Sequence, residues 1–418
     1  MLPKDDTYTV RPREKTVLFL IIAGHGLVHI FDGMIAPLIP ILVQHFDTNY
    51  FRVGIIVSLF SVLFGLGALP SGFLADRVGP LRLISVYLFG AGAAFMSVLF
   101  VDSYWGYAVV MTAAGLFCST YHPAANTLIG TEITVRGSAF GIHGVSGSIG
   151  TALAPAVVAG IASVAGWKMP HLLFGLAAVV VGIFSLRIPL RETPLAKRVD
   201  APVQSLPPAA DTDASVDGVH RPPVIPAVSL VLFYVTATVT GLAYRANMTF
   251  LPAFMGERIA IRGVDVVTAG GLLATVTLMA GAVGQYIGGR LVDRYRPEGL
   301  YLISIVGSLV FLTVMILGKS VVLILAAVVF ALFYFMVQPV QADILVRYIP
   351  RHRLGASYGL HFMLIFGAGS FGGAGGGFIA DRFGLTAVFV ASAVVYVLSA
   401  VLIGVIFLNR PRRAPSAR

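Results

Sequence analysis

The chain has 418 residues, 57% of them hydrophobic and 11% charged, with a mean hydropathy of +0.89. A soluble domain needs a polar shell that this composition cannot supply, which excludes a water-soluble enzyme or nucleic-acid binder and leaves a polytopic membrane protein. The net charge of +10 then reports membrane topology rather than a nucleic-acid partner.

The first apolar run, 16–43, follows a charged stretch from Lys4 to Lys15 and continues without a small-residue cleavage site. It reads as a retained helix, not a signal peptide. Crossing a hydrocarbon core of about 30 Å takes about 20 helical residues. Runs of that length recur at 53–75, 82–100, 105–129, 137–161 and 170–188, then at 227–254, 266–290, 299–318, 321–347, 355–379 and 385–408. Twelve spans place both termini on one side. Of the 29 Lys and Arg, only Arg52, Lys168, Arg258, Arg262, Lys319 and Arg382 fall on the opposite loops, and Arg245 falls inside a span. Positive charge is retained in the cytoplasm, so both termini are expected there, in a bacterial inner membrane, with polybasic ends suited to anionic lipid.

Residues 189–226, rich in Pro, Ala, Asp and Ser, read as a flexible cytoplasmic linker. They separate a six-helix half, 1–188, from a second, 227–418, that ends in a short basic tail. The halves repeat. GLVHIFDGMIAP at 26–37 matches GLAYRANMTFLP at 241–252, GSAFGIH at 137–143 matches GASYGLH at 355–361, and GFLADRVG at 72–79 matches GRLVDRYR at 289–296. The fold class is therefore an all-α membrane protein of twelve transmembrane helices in two pseudo-symmetric halves. GFIADRFG at 377–384 copies the loop signature once more, on the external side. The glycine runs at 144–150 and 367–377 lack a Walker lysine and a strand, so they read as small faces for close helix packing rather than a nucleotide loop. The lone Cys118 excludes a disulfide framework.

A six-plus-six duplication with a cytoplasmic mid-loop, together with GFLADRVGPLRL at 72–83, resembles the major facilitator superfamily. The chain departs from that signature at Pro80 and Leu81, where basic residues are common. STYHPAAN at 119–126 and the glycine-rich stretch after Arg136 are similar to the fosmidomycin-resistance type exporters in the first half. The resemblance implies a cytoplasmic gate in which Asp76 caps a helix start and pairs with Arg across the halves. Asp76, Arg77, Asp293, Arg294 and Asp343 are assigned to it, Asp343 with Arg347 one turn on.

In such a fold a cavity near the bilayer midplane lies between the halves, and the polar residues of the spans concentrate on the helices that would line it. His25, His29 and Asp32 lie at i, i+4 and i+7 on the first span, along one face. The matching positions of the seventh span carry Thr240, Tyr244 and Asn247, with Arg245 one step round. The fourth span contributes His122 and Asn126, the tenth Gln338 and Gln341, and His143 and His361 occupy the same position in the two repeats. His25 is read as shallower and interfacial. Charges at bilayer depth cost roughly 2.5 to 3.5 kcal/mol on insertion scales, so Asp32 and Arg245 are expected to be used.

These residues point to a proton-coupled secondary transporter that exports a small polar or anionic compound by alternating access. Asp32 and His29 would carry the proton, and Arg245, Tyr244, Asn247, His122, Asn126, His143, Gln338, Gln341 and His361 would hold the substrate. Proton-coupled uptake of an organic anion is the alternative. A transition-metal or metal-chelate transporter is a third reading, opposed by the cationic Arg245. Protons, lipid and a small molecule are the expected partners of a monomer, with no nucleic acid, no cofactor, no metal and no covalent catalysis.

Overall fold

The computed structural model describes residues 12–133, 136–189, 227–292, 294–349 and 360–408, all helical or in short connections. Among the described residues, ten helical stretches are long and apolar enough to cross a membrane. The first is composite: α1 (Pro12–Gly33) passes through a 3-10 turn, Ala36–Leu38, into α2 (Ile39–His45). Then come α3 (Tyr50–Val78) and α4 (Pro80–Ser97). The fourth span is broken into α5 (Tyr104–Cys118) and α6 (Tyr121–Glu132), and Pro123 falls in the first turn of α6, where a missing N–H costs least. α7 (Arg136–Ala165) and the short α8 (Met169–Ser185) complete the first half.

The second half runs through α9 (Ala227–Arg258), α10 (Val266–Val292), α11 (Pro297–Leu317) and α12 (Ser320–Tyr348). Its eleventh span opens with a π-helical stretch, Met363–Ala368, and continues as α13 (Phe371–Phe383), followed by α14 (Leu385–Leu408). The broken fourth span and the 17-residue α8 bring the ten to the twelve expected. Of the expected linker, only residue 189 is among the described residues, and Asp293 also lies outside them.

Local chemistry sets the helix ends. Asn49 caps α3 through Arg52 N (3.0 Å), and Ser103 caps α5 through Gly106 N (3.1 Å). Asp265 caps α10 by accepting from Val267 N and Thr268 N, both at 3.0 Å. Two of the three copies of the loop signature, 72–79 and 377–384, end on a glycine with positive φ, Gly79 at 94° and Gly384 at 82°. Only glycine takes that conformation without a steric cost, which explains the repeated residue.

The halves meet along two seams. α3 packs on the eleventh span from the end remote from the linker, where Gly377 of α13 lies against Tyr50, to the middle, where Gly65 faces Gly367 of the π-helical stretch. α7 packs on α10, with Gly271 against Pro155 and Ala159. Within the halves, a β-carbon on Gly150 would lie 2.5 Å from the carbonyl oxygen of Gly26, and one on Gly372 would collide with Leu242. The glycine runs thus do what the sequence assigned them: they bring backbones into contact.

Candidate functional site

Asp32 on α1 and Arg245 on α9 meet. Arg245 Nη1 donates to Asp32 Oδ1 at 3.0 Å, with side chains 7% and 18% exposed. The two residues come from different halves and from equivalent spans, so the ion pair ties the last turn of α1 to the middle of α9. Its second guanidinium nitrogen, Arg245 Nη2, is buried with no hydrogen-bond partner. Leaving a charged donor unsatisfied is costly, so this nitrogen is a ready point of attachment for an anionic oxygen.

Beside the pair, α1 and α6 assemble imidazoles. His29 Nε2 lies 3.1 Å from His25 Nε2, and His122 packs edge-on against His25, ring centroids 5.2 Å apart. His143 on α7 stacks on His25 at 3.8 Å with an interplanar angle of 2°. Its carbonyl oxygen accepts from His25 Nδ1 at 2.5 Å, and its Nε2 faces the Tyr121 hydroxyl at 3.1 Å. Gly147 makes this possible, since a β-carbon there would lie 2.3 Å from His25 Cε1. His25 is buried at the centre of the cluster, where α7 covers it. Its i, i+4 relation to His29 was the signal for their contact. Tyr121, one residue before His122, lies in the STYHPAAN stretch, which gave no signal for this contact.

The second half is less convergent. Tyr244 stacks on Tyr334 at 5.4 Å. Asn247 turns to α14, where its Oδ1 accepts from Ser392 Oγ at 2.8 Å. Gln341 donates to the Tyr301 hydroxyl at 2.7 Å and is buried inside its own half. His361 stacks on Phe233 at 5.4 Å and does not join the histidine cluster, although its Nδ1 lacks a partner. Gln338 accepts from Gln285 Nε2 at 2.7 Å, and Gln285 in turn accepts from Ser148 Oγ at 3.0 Å, a polar bridge from α12 through α10 to α7. Asn126 and Gln338 are exposed, which suits the walls of a polar path.

Of the residues expected at a cytoplasmic gate, Arg77 and Arg294 are exposed and Asp76 sits in the last turn of α3. Asp343 pairs with Arg347 on its own helix at 2.5 Å, and Arg347 Nη2 also donates to Val292 O at 3.2 Å. Glu132 pairs with Arg13 at 3.0 Å within the first half. Asp381, in the third copy of the signature, accepts from Tyr50 N at 2.8 Å and Phe51 N at 2.7 Å, and so caps α3 from the opposite half.

Two pseudo-equivalent helical halves meeting at a buried charged pair are the architecture of a membrane transporter. The family model of the Major Facilitator Superfamily matches residues 21–270 and again 233–418, and the chain belongs to that superfamily. Membership places it among membrane transporters rather than enzymes. In sequence it is similar to the membrane sensor protein UhpC of Escherichia coli (strain K12), 24% identical over 43% of this chain and 42% of that protein. It is also similar to the multidrug resistance protein MdtG of Klebsiella pneumoniae (strain 342), 28% identical over 46% of each chain. The matched stretch spans less than half the length of either curated relative. Among solved structures, it superposes on a bacterial homolog of the human lysosomal transporter Spinster, inward-facing and occupied, with TM-score 0.75 and 15% identity over 97% of this chain and 100% of that one. The nucleoside transporter NupG gives TM-score 0.75 at 13% identity over 96% and 100%. These likenesses concern the fold.

Proposed function

We propose that the protein is a proton-coupled secondary transporter of a small anionic compound, in which Asp32 carries the proton and Arg245 the anion. The observation that carries this reading is the Asp32–Arg245 pair across the halves with its free Nη2. Protonating Asp32 removes the charge that holds Arg245 and frees the guanidinium for a substrate carboxylate or phosphate, which it grips in bidentate fashion. Proton and anion then bind in concert, because each favours the state that accepts the other. Tyr244, Asn126 and Gln338 supply further polar contacts along the path. With both termini cytoplasmic, as the distribution of Lys and Arg supports, the inward proton gradient of a bacterial inner membrane drives uptake.

The direct ion pair thus favours co-transport over the exchange expected from sequence. Export by exchange requires proton and substrate to exclude each other, as they would if a cationic or neutral donor took the Asp32 carboxylate. The likeness to MdtG, a multidrug resistance protein, supports that second reading. Thermal-shift screening of the purified protein against organic acids, anionic antibiotics and neutral analogues identifies a substrate, because ligands of the folded state raise its apparent stability. Counterflow in vesicles under an imposed pH gradient then gives the direction. Arg245→Ala is expected to raise the KM of an anionic substrate at least tenfold, about 1.4 kcal/mol, and that of a neutral one far less; equal effects would make Arg245 structural.

A further inference from the structure

Three imidazoles stand together in the first half with ligand spacing. One ligand atom from each of His25, His29 and His122 lies within 4.8 Å of the others, and the His25 and His29 Nε2 atoms are 3.1 Å apart. Ligands at 2.0–2.1 Å around a tetrahedral zinc ion sit about 3.4 Å from one another. The first two are therefore already at that spacing, and His122 needs a shift of no more than about 1.5 Å.

His25 is also held in the required tautomer. A carbonyl oxygen only accepts, so the 2.5 Å contact with His143 O places the proton on Nδ1 and leaves the Nε2 lone pair of the neutral ring turned toward His29. A backbone-anchored N–H of this kind fixes tautomer and ring orientation in metal-binding histidines. Stacking of His143 and Tyr121 on the His25 ring, at 3.8 and 5.6 Å, restricts its rotation. The objection visible in sequence, that Arg245 repels a cation, is met by the geometry, because Asp32 neutralises that guanidinium at 3.0 Å.

We infer that His25, His29 and His122 form a binding site for a borderline divalent cation of the zinc class, with three imidazole ligands and a fourth position left to water or an anion. Magnesium and calcium, which demand oxygen ligands, are not served by this set. All three ligands sit on α1 and α6 of one half, so the site persists when the halves rock against each other.

The test uses the full-length protein in detergent, stripped of metal, titrated with Zn2+ alone by calorimetry and with Co2+ alone by visible absorption. One equivalent of Zn2+ is expected to bind at micromolar or tighter dissociation constant, and Co2+ to give the intense bands of a tetrahedral site. His29→Gln and His122→Gln are each expected to weaken binding at least tenfold, while His45→Gln, at an exposed position on α2, leaves it unchanged. Absence of stoichiometric Zn2+ binding by the wild type overturns the inference without recourse to any variant. So does a weak, octahedral Co2+ spectrum, or loss of binding in His45→Gln. Binding here requires no transport, so the result stands whichever way flux measurements on Asp32 and Arg245 fall.

Discussion

Asp32 and Arg245 are each expensive in a membrane and affordable only together. Removing one partner of a buried ion pair leaves an uncompensated charge and costs about 3 to 5 kcal/mol, whereas replacing both with neutral groups is often close to neutral. Arg245→Ala alone is therefore expected to lower the thermal unfolding midpoint markedly, and the double variant Asp32→Asn, Arg245→Gln to recover most of the loss. Additive effects in the four-member cycle would show that the two side chains do not depend on each other. Both residues were legible in the sequence as charges in apolar spans. Their contact was not, because the repeat alignment pairs Arg245 with Ile30 rather than with Asp32, and the two meet through the approach of the halves. Asn247 and Gln341 show the converse: a polar residue in a cavity-lining span need not face the cavity, and theirs turn to Ser392 and Tyr301 inside their own half.

At the level of the element, the third copy of the loop signature finds its reason. Asp381 places a carboxylate on the first amides of α3, where unpaired N–H groups and the helix dipole favour negative charge by about 1 to 2 kcal/mol in a partly buried setting. It does so from the other half, so it latches the seam on the side remote from the linker. Asp381→Asn is expected to shift the seam toward opening by roughly five- to thirtyfold. Disulfide cross-linking of Phe51→Cys with Phe378→Cys, whose native rings lie 6.1 Å apart, in a Cys118→Ala background reads this as a slower rate; an unchanged rate would remove Asp381 from the latch.

The Asp265 cap on α10 acts within one half. Burial raises its carboxyl, but hydrogen bonds from Thr268 and Val267 outweigh this and hold it below the ordinary value of 3.8. A depressed folded value means that the stabilisation is fully present above that ordinary value and is lost as the pH falls through the lower, folded one. Asp265→Ala is expected to cost about 1 kcal/mol at neutral pH, with the gap to wild type closing only in strong acid. Thermal melts across pH check the sign. Helix extents were legible in the apolar runs because length and hydropathy alone fix them. The break at Ser119 and Thr120 and the π-helical stretch Met363–Ala368 were not, because both answer to neighbouring helices: Ser119 Oγ sits where Gly67 passes, and Gly367 where Gly65 passes.

For the whole molecule, the duplication carried the fold from sequence to structure, since two copies of one six-helix pattern can bury their polar faces only against each other. The site was less symmetric than the repeat implied. His143 and His361 are equivalent in sequence, yet one stacks on His25 and the other on Phe233, so the first half holds the imidazole cluster and the acid while the second holds the base. In the proposed mechanism that asymmetry would separate the proton from the anion and let one ion pair couple them. The most direct measurement reconstitutes the protein in liposomes with a pH-sensitive dye inside and adds an organic anion selected by thermal shift. Wild type is expected to show proton influx that starts with the anion, and Asp32→Asn to show none while still exchanging labelled anion across the membrane. Anion-induced proton influx that survives Asp32→Asn undiminished would contradict the account.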